Sequence, residues 1–252
     1  MLAEISRLVR QAGELFFDET LSGQRQEKGL RDYVTQTDAT VQGFLRQALT
    51  KQFPKVDFLG EEQPSHCWDF QGPVWVLDPV DGTANLIHHL GYSAISLALV
   101  EAGRPVLGVV YNPYTRELFS AREGDGAFLN GRPIRVSQTA ALAEALVAVG
   151  TAPGARQEAP ETFRRMARVY AACQDIRRMG AASLELCAVA CGRLEGFYED
   201  HLKPWDYAAG MLLVQEAGGT VSTRQGKALT FRPDGDIFAA NGCLAQALLA
   251  LL

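Results

Sequence analysis

The chain has 252 residues, of which 47% are hydrophobic and 21% are charged, and it contains 24 glycines and 11 prolines. This composition is typical of a globular protein and excludes a disordered chain, a collagen and a coiled coil. The formal net charge of -5 disfavours a general affinity for nucleic acids or anionic membranes, because both depend on an excess of cationic side chains.

The first half of the chain is predicted to contain two amphipathic helices and then a run of strands. Apolar residues at steps of three and four predict a helix over residues 2 to 18 and a second helix after Asp38, which stands at the expected N-cap position. Residues 74–77 predict a short buried strand, and short turns between residues 92 and 130 predict four antiparallel strands. The segment 24–36 has few apolar residues and is expected to be a loop that is mobile without metal.

The second half predicts alternating helices and strands. After residue 137 the composition shifts toward Ala and Leu, with helical periodicity near 159–172, 183–191 and 205–217 and a short strand at 196–198. No internal repeat or linker separates the halves. Residues 1–136 and 137–252 are therefore predicted to pack as two lobes of one compact unit.

The five cysteines give no sign of a zinc or redox site. They are odd in number and scattered, and no Cys-x-x-Cys pair or Cys/His cluster occurs, so we expect reduced thiols in the core. The first residues have helical spacing rather than the pattern of a signal peptide, and no apolar stretch approaches the roughly 18 residues of a membrane span. These features predict a cytoplasmic protein without a membrane anchor.

The strongest local signal is the sequence Asp-Pro-Val-Asp-Gly-Thr at residues 78–83, directly after a predicted buried strand. Loops that follow strands are frequent places for functional side chains. Asp78 and Asp81 are three positions apart, and Gly82 allows a backbone conformation that other residues rarely adopt. A purely structural interpretation is also open, in which the proline fixes a turn and the aspartates cap neighbouring amides.

Further acidic residues favour the functional interpretation. Glu61 and Glu62 follow an apolar pair that predicts a strand or turn, and Asp206 stands at the start of a predicted helix. Taken singly, Asp206 and Asp38 are explained as helix caps and the two glutamates as solvated surface. Several carboxylates without Cys or His would repel each other unless divalent cations lay between them, and all-oxygen ligands suit Mg²⁺. A magnesium cluster in turn indicates hydrolysis of a phosphate monoester.

Six segments, in order along the chain, resemble the signatures of the inositol monophosphatase family within the magnesium-dependent, lithium-sensitive phosphatases. They are Val-Thr-Gln-Thr-Asp at 34–38, Gly-Glu-Glu at 60–62, Trp-Val-Leu-Asp-Pro-Val-Asp-Gly-Thr-Ala-Asn at 75–85, Gly-Ala-Phe-Leu-Asn-Gly at 126–131, Lys-Pro-Trp-Asp-Tyr-Ala-Ala-Gly at 203–210 and Glu-Ala-Gly-Gly at 216–219. The resemblance implies an α/β (α+β) fold, the layered αβαβα sandwich of the inositol monophosphatase and fructose-1,6-bisphosphatase type. It also suggests a homodimer.

The resemblance implies metal sites built from oxygen ligands. The first ion would be held by Glu61, Asp78 and the carbonyl oxygen of Val80, and the second by Asp78, Asp81 and Asp206. A third, weaker ion would use Glu61, so two or three Mg²⁺ ions are expected.

The resemblance also implies roles in catalysis and substrate binding. Thr83, paired with Asp38, would orient and deprotonate the attacking water, and Glu61 and Asp81 complete the catalytic set. The amides of Gly82 and Thr83 would bind the phosphate. The residues expected to contact the polyol or sugar are Ala84, the turn formed by Gly180, Ala181 and Ala182, Glu199 and Asp206.

Two departures from the family pattern concern the substrate. Ala84 and Ala181 stand where the family often has hydroxyl residues, so one or two hydrogen bonds to the polyol are expected to be absent and specificity to be broadened or moved. His88 and His89 follow the motif on a loop, in the segment 86–89, which lacks the aromatic residue and the arginine usual in the family. We interpret them as surface residues, with contact to a second anionic group of the substrate as the alternative.

The sequence therefore predicts a Mg²⁺-dependent phosphoric monoester hydrolase that acts on inositol 1-phosphate or a related polyol or sugar phosphate, by in-line attack of a metal-activated water. Fructose 1,6-bisphosphate, histidinol phosphate and 3'-phosphoadenosine 5'-phosphate are alternative substrates. The nucleotide is disfavoured because no aromatic and basic clamp for a base is evident near residues 78–83. The alternative from another class is a regulatory binding protein that retains the phosphatase fold. No nucleic acid or membrane partner is expected.

Overall fold

The computed structural model describes residues 1–29, 32–62, 70–232 and 235–252. In this part of the chain the α-helices are α1 Leu2–Gly13, α2 Glu19–Ser22, α3 Gln36–Gln52, α4 Thr83–Ile87, α5 Ala159–Ala172, α6 Ala182–Ala190, α7 Pro204–Glu216 and α8 Ala245–Leu249. The strands are β1 Arg25–Gly29, β2 Asp32–Thr35, β3 Asp57–Gly60, β4 Val74–Asp81, β5 Ala94–Glu101, β6 Arg104–Asn112, β7 Glu117–Arg122, β8 Gly126–Leu129, β9 Arg132–Pro133, β10 Leu146–Val149, β11 Asp175–Arg177, β12 Gly196–Leu202, β13 Thr220–Ser222 and β14 Gly235–Ala240.

Two sheets alternate with three layers of helices. The larger sheet has seven strands in the order β3-β4-β5-β6-β7-β8-β9, and the smaller has five in the order β11-β10-β12-β14-β13. Helices α1 and α3 cover one face of the larger sheet, α6 and α7 lie between the two sheets, and α5 and α8 cover the far face of the smaller sheet. The predicted αβαβα sandwich is confirmed. The division into lobes at residue 136 stays a prediction.

One strand of the larger sheet, β4, is buried along its whole length. Every residue of β4 is buried, because helices pack on both faces of the sheet at this position. Strand β4 pairs parallel with β3 and antiparallel with β5, and the predicted antiparallel meander continues from β5 to β9. The ends of β3 and β4 therefore lie side by side.

Helix α7 is held tightly between the two sheets. A Cβ atom on Gly210 would lie 2.6 Å from Leu186 of α6, and one on Gly108 of β6 would lie 2.9 Å from the carbonyl oxygen of Ala209. Glycine at these two positions lets α7 approach both α6 and the larger sheet closely. These contacts fix the position of α7 relative to α6 and the larger sheet.

Three local predictions differ from the structure. The strand predicted over residues 74–77 continues to Asp81, and the register of β4 against β5 shifts between Asp78 and Asp81, as at a β-bulge. Asp38 is the third residue of α3 rather than its N-cap. The N-cap is Thr35, and the two side chains form a capping box. The loop predicted over residues 24–36 contains the antiparallel pair β1 and β2, with residues 30 and 31 outside the described part; its mobility stays a prediction.

Two further expectations concern the cysteines and a membrane span. Cys173 and Cys187 are buried, as predicted, and Cys191 is partly buried. Cys243 is exposed, so the prediction of a core thiol is wrong there, and Cys67 lies outside the described residues. None of the helices in the described ranges is long and apolar enough to cross a bilayer.

Candidate active site

Four of the predicted carboxylates meet at one cavity. Glu61 directly follows β3, and its amide donates to the carbonyl oxygen of Leu77 in β4 at 3.1 Å. Asp78 and Asp81 lie at the end of β4, and Asp206 is the third residue of α7. All four, together with Val80, line a cavity of about 730 Å³. The parallel pairing of β3 with β4 and the close packing of α7 bring them together.

The carboxylates of this cluster repel one another. Asp78 is 2% exposed, and burial raises its pKa well above the usual range, with further increases from the charges of Glu61, Asp81 and Asp206. Burial and the charge of Glu61 likewise raise the pKa of Asp206 well above its usual range. Because buried like charges are unfavourable, the cluster must be neutralised by protons or by a cation.

Asp81 is held by the first turn of α6. Its Oδ1 accepts a hydrogen bond from the amide of Ala182 at 3.2 Å, and its Oδ2 accepts from the amide of Ser183 at 2.7 Å and from the Ser183 hydroxyl. Burial raises the pKa of Asp81, and the bonds from Ser183 oppose that increase. Both carboxylate oxygens are therefore oriented by α6.

The donor chemistry fits a hard divalent cation, although the ligand set is not closed. Within the described ranges, no group of three or more His, Cys, Asp or Glu side chains could hold an ion as it stands. Besides the bonds to Asp81, Asp78 accepts from the amide of Val80 at 2.9 Å and Asp206 from that of Lys203 at 2.7 Å. A cluster of carboxylate oxygens without Cys or His is nevertheless the kind of ligand set that Mg²⁺ prefers.

Thr83 and Asp38 form the predicted pair. The Thr83 hydroxyl lies 3.1 Å from Oδ1 of Asp38 and 2.9 Å from the carbonyl oxygen of Val80, so its single proton has two acceptors. Oδ2 of Asp38 accepts from the amide and hydroxyl of Thr35, at 2.8 and 2.5 Å. Burial raises the pKa of Asp38, while the threonine hydrogen bonds oppose that increase. Thr83 thus connects a buried carboxylate to the cavity.

The turn after β4 depends on Gly82. Its φ of 85° lies in the left-handed region, and a Cβ atom there would lie 3.1 Å from the carbonyl oxygen of Gly180. Asn85 ties the same two segments together, because its side-chain amide donates to the carbonyl oxygen of Met179 at 2.8 Å. The turn formed by residues 82–85 therefore packs directly on the turn that precedes α6.

The expected polyol contacts are only partly present on the cavity wall. Ala84, Gly180 and Glu199 line it, and Oε1 of Glu199 accepts from the amide of Ala152 at 3.1 Å. Ala181 and Ala182 are 1% and 5% exposed and do not line the cavity. The amide of Ala182 donates to Asp81 and its side chain is buried, so the contact of Ala182 with substrate stays a prediction.

Neither histidine after the motif reaches this cavity. His88 and His89 are both exposed, in agreement with their interpretation as surface residues. His89 lines a separate cavity of about 380 Å³ with Arg25 and Ile87. The alternative that either imidazole meets an anionic group of a substrate bound at the carboxylates is not supported by these positions.

Sequence reasoning missed several residues of the cavity wall, and three of them carry a phenol ring or a guanidinium. Tyr33 lines it from β2, and the guanidinium of Arg25 lies 5.7 Å from the centre of its ring. Arg156 and Arg178 line it from two segments of the second half. An aromatic ring and basic groups are thus present on this wall, although the sequence argument against a nucleotide substrate assumed that none lay near residues 78–83; that argument stays a prediction. The position of Arg178 two residues before the Gly180 turn was an available signal.

Comparison with known proteins shows the family to which the chain belongs. A model of the inositol monophosphatase family matches residues 1–252. Nus factor SuhB of Salmonella typhimurium strain LT2 is 37% identical over 253 residues, covering 99% of this chain and 94% of that protein. Inositol-1-monophosphatase of Rhizobium meliloti is 40% identical over 232 residues, covering 92% and 87%.

Solved structures of similar proteins have the same fold. Extragenic suppressor protein suhB from Bartonella henselae superposes with a TM-score of 0.90 at 36% identity, covering 97% of this chain and 95% of that one. Inositol monophosphatase from Anabaena superposes with a TM-score of 0.87 at 30% identity, covering 99% and 94%. The fold and the family resemblance predicted from the sequence are confirmed.

Proposed function

The chain belongs to the inositol monophosphatase family, and from this premise we propose that it catalyses the Mg²⁺-dependent hydrolysis of phosphate monoesters, with inositol 1-phosphate as the expected substrate. The family consists of phosphoric monoester hydrolases that generally depend on a metal. The convergence of Glu61, Asp78, Asp81 and Asp206 on one cavity is the observation that carries the proposal.

The proposed ligands are the groups assigned from the sequence. Glu61, Asp78 and the carbonyl oxygen of Val80 would hold one ion, and Asp78, Asp81 and Asp206 a second, with a third, weaker ion at Glu61. When bound, Mg²⁺ would lower the pKa of the attacking water and neutralise charge on the leaving oxygen. The raised pKa values of the carboxylates support this assignment, because a cation relieves their mutual repulsion.

Thr83 and Asp38 are proposed to move the proton of the attacking water. While the Thr83 hydroxyl donates to Oδ1 of Asp38 at 3.1 Å, its oxygen can accept a hydrogen bond from a water in the cavity. As Thr83 takes a proton from that water, its own hydroxyl proton can pass to Asp38, because burial raises the pKa of that carboxyl and makes it a stronger base. The amides of Gly82 and Thr83 would bind the phosphate oxygens.

The polyol or sugar is proposed to contact Ala84, Glu199 and Asp206 on the cavity wall. The Glu199 carboxylate can accept hydroxyl hydrogens through its second oxygen, since Oε1 is bonded to Ala152. The resemblance also supports a cytoplasmic homodimer of two-lobed subunits. Light scattering coupled to size exclusion tests the dimer.

Phosphate release from inositol 1-phosphate tests the function. We expect release with Mg²⁺, none with a chelator, and inhibition by Li⁺. Asp81→Asn should abolish turnover while the protein stays folded by circular dichroism, with a lower thermal midpoint because its amide nitrogen replaces an oxygen that accepts a buried hydrogen bond. Full activity of Asp81→Asn, or wild-type activity that is unchanged when a chelator is added, contradicts the proposed site. A panel with histidinol phosphate, fructose 1,6-bisphosphate and 3'-phosphoadenosine 5'-phosphate ranks the substrates by kcat/KM.

A second candidate function is regulatory binding. It is favoured by one observation, the 37% identity to a protein named Nus factor SuhB. Capture of a defined partner by catalytically inactive Asp81→Asn protein, at the affinity of the wild type, would support that function independently of turnover. The net charge of -5 gives no support for general nucleic-acid binding.

A further inference from the structure

The turn before α6 is held by two buried side chains from distant parts of the chain. Residues 179–181 form this turn, and its Gly180 has a left-handed φ of 87°. Asn85 bonds to carbonyl groups of the turn, and Glu185 bonds to its amides. Asn85 is 7% exposed and Glu185 is 0% exposed, so little water is available to replace either partner. The position of the turn therefore depends on these two side chains.

Asn85 ties the turn to the segment that follows β4. Its side-chain nitrogen donates to the carbonyl oxygens of Met179 at 2.8 Å and Gly180 at 3.4 Å. The same nitrogen donates to the carbonyl oxygen of Tyr92, at 2.7 Å, just before β5. Asn85 belongs to α4, which begins at Thr83, so the turn is linked to the residues that are proposed to bind the phosphate.

Glu185 holds the same turn from inside α6. Its Oε1 accepts hydrogen bonds from the amides of Met179 at 2.9 Å and Gly180 at 3.3 Å. Glu185 is the fourth residue of α6, so its carboxyl group reaches back past the start of its own helix. The N-cap residue, Ala181, has no side chain that could accept a hydrogen bond. The amides in and just before the first turn of α6 thus bond to the carboxyl groups of Glu185 and Asp81.

The turn also packs directly on Gly82. A Cβ atom on Gly82 would lie 3.1 Å from the carbonyl oxygen of Gly180 and 3.1 Å from the side chain of Ala181. A displacement of the turn would therefore move residue 82, whose amide is proposed to bind phosphate. It would also move the first turn of α6, whose amides orient Asp81. Glu185 does not line the cavity, yet it contacts the turn on which both of these groups depend.

We propose that Glu185 is a positioning residue for the reaction and acts through the turn at residues 179–181. The turn transmits its position in two directions, to Asp81 through the amides of α6 and to the phosphate-binding amides through its packing on Gly82. The proposal rests on the proposed function, and it adds to that function a side chain that lies outside the cavity.

The turn requires a hydrogen-bond acceptor at Glu185 rather than a charge. Burial and the charge of Glu199 raise the pKa of Glu185 to about 8, so this carboxyl group is mostly uncharged at pH 7. Glutamine keeps an acceptor oxygen and is also uncharged, whereas methionine has a similar length and only a weakly accepting sulfur. Glu185→Gln and Glu185→Met therefore separate the loss of the acceptor from the loss of the carboxyl group.

Glu185→Met should lower kcat/KM for inositol 1-phosphate by at least about tenfold, the scale on which groups that orient a metal ligand affect activity. Glu185→Gln should stay within about threefold of the wild type, because it keeps the acceptor. Wild-type kcat/KM in folded Glu185→Met overturns the inference. An equal loss in Glu185→Gln overturns it as well, because the acceptor alone would then not be sufficient.

Glu195→Met is the matched control. Glu195 is also a buried glutamate, and its side chain accepts from the amide of Leu146 at 2.8 Å and from the hydroxyl of Thr139 at 3.2 Å. It does not line the cavity, so we expect a lower thermal midpoint and a kcat/KM within about threefold of the wild type. Equal losses of kcat/KM in Glu195→Met and Glu185→Met overturn the inference, because a general loss of stability would then explain both.

Mg²⁺ binding separates the inference from the proposed function. Titration calorimetry without substrate should show at least about tenfold weaker Mg²⁺ binding in Glu185→Met and an affinity close to that of the wild type in Glu185→Gln. If the wild type releases no phosphate from any substrate of the panel, the proposed hydrolysis fails, and the Mg²⁺ affinities still decide whether Glu185 positions Asp81. Wild-type Mg²⁺ affinity in folded Glu185→Met overturns the inference.

Hydrogen exchange of the wild type gives a measurement that needs no variant, in case Glu185→Met does not fold. Mg²⁺ together with inorganic phosphate should slow exchange by at least about threefold in peptides that cover residues 179–183, as well as in those that cover residues 81–85. Unchanged exchange in residues 179–183 overturns the inference, because the turn would then not respond to the occupied site.

Discussion

Ser183 holds the carboxylate of Asp81 with two groups at once, since its backbone amide, at 2.7 Å, and its hydroxyl both donate to Oδ2. Asp81 is only 8% exposed, so little water is available to replace a lost donor. The hydrogen bond from the backbone amide would form with any residue at position 183, whereas the second hydrogen bond requires a side-chain hydroxyl. Ser183 therefore contributes directly to the orientation of a proposed metal ligand.

Ser183→Ala should weaken Mg²⁺ binding and lower kcat/KM by about tenfold, because groups that orient a ligand typically affect affinity and activity on this scale. Titration calorimetry with Mg²⁺ in the absence of substrate measures the first effect separately from turnover. Ser183→Thr keeps the hydroxyl and should stay within about threefold of the wild type. Ser222→Ala removes a buried hydroxyl that donates within β13 and its turn, and serves as the control. Unchanged Mg²⁺ affinity in Ser183→Ala contradicts the positioning role.

Glu185 supports the turn before α6 from inside the protein. It is 0% exposed, and its Oε1 accepts from the amides of Met179 and Gly180 at 2.9 and 3.3 Å. Its Oε2 is buried without a hydrogen-bond partner in the described part of the chain. Burial, together with the charge of Glu199, raises the pKa of Glu185 from 4.5 to about 8. The folded protein therefore retains this proton over a pH range in which the unfolded chain loses it.

As the pH rises from 5 to 8, the free energy of unfolding of the wild type should decrease relative to that of Glu185→Gln. In this window the folded state binds more protons at Glu185 than the unfolded state does, so raising the pH decreases the free energy of unfolding. The glutamine side chain is uncharged throughout, and the other carboxylates contribute equally to both proteins. Denaturation at a series of pH values should give a difference between the two slopes of roughly 1 kcal/mol per pH unit. Parallel slopes mean that the pKa of Glu185 is not raised.

The features that sequence predicted well are local ones. The hydrophobic periodicity of α5 and the short turns of the β5 to β8 meander depend on residues near each other in the chain. The motif at residues 78–83 gives the order and type of its carboxylates directly. Where the strand ends within this motif was less predictable. Strand β4 extends to Asp81 because Asp81 pairs with β5, a contact that local sequence does not specify.

The missed residues of the site depend on contacts between distant segments. Ser183 and Asp81 are 102 positions apart, and family patterns directed attention to the residue at 181, which is buried. Arg156 lies in a short 3-10 segment whose glycine and proline give no periodic signal. Tyr33 reaches the cavity from a segment that its polar composition predicts to be a loop. Such placements follow from tertiary packing rather than from local propensity.

Asp78→Asn should stabilise the metal-free protein while it abolishes activity. Asp78 is repelled by Glu61, Asp81 and Asp206, and an amide of nearly the same shape removes this repulsion. We expect the free energy of unfolding in chelator to rise by about 1 kcal/mol or more. Addition of Mg²⁺ should raise the thermal midpoint of the wild type and leave that of Asp78→Asn nearly unchanged. Asn85→Asp is a useful contrast and should destabilise the protein, since it adds a charge to a buried side chain outside the cluster and removes the amide that donates to Met179. A metal-free Asp78→Asn protein less stable than the wild type contradicts the proposed repulsion.

Thr83 and Asp38 should behave as a unit in catalysis. Thr83→Ala and Asp38→Asn should each lower kcat by about 100-fold, the lower end of the effect of general base catalysis, and Thr83→Ser should retain most of the activity. In Asp38→Asn the Thr83 hydroxyl can still donate to the carbonyl oxygen of Val80, at 2.9 Å, but it has lost the carboxylate that would take its proton. The double variant should be little worse than the more damaging single one, because each change already breaks the same proton path. Multiplicative losses contradict a shared role.

Asp38 also caps α3, so its catalytic and structural roles must be separated. Thr35→Ala removes the hydroxyl that donates to Oδ2 of Asp38 and leaves the contact between Oδ1 and Thr83 in place. The loss of half a capping box should decrease the free energy of unfolding by about 1 kcal/mol, while kcat stays within about threefold of the wild type. If Thr35→Ala lowers kcat as much as Asp38→Asn does at temperatures where both are folded, the effect of Asp38 arises from the helix cap. A difference of about 30-fold or more between the two variants assigns it to the contact with Thr83.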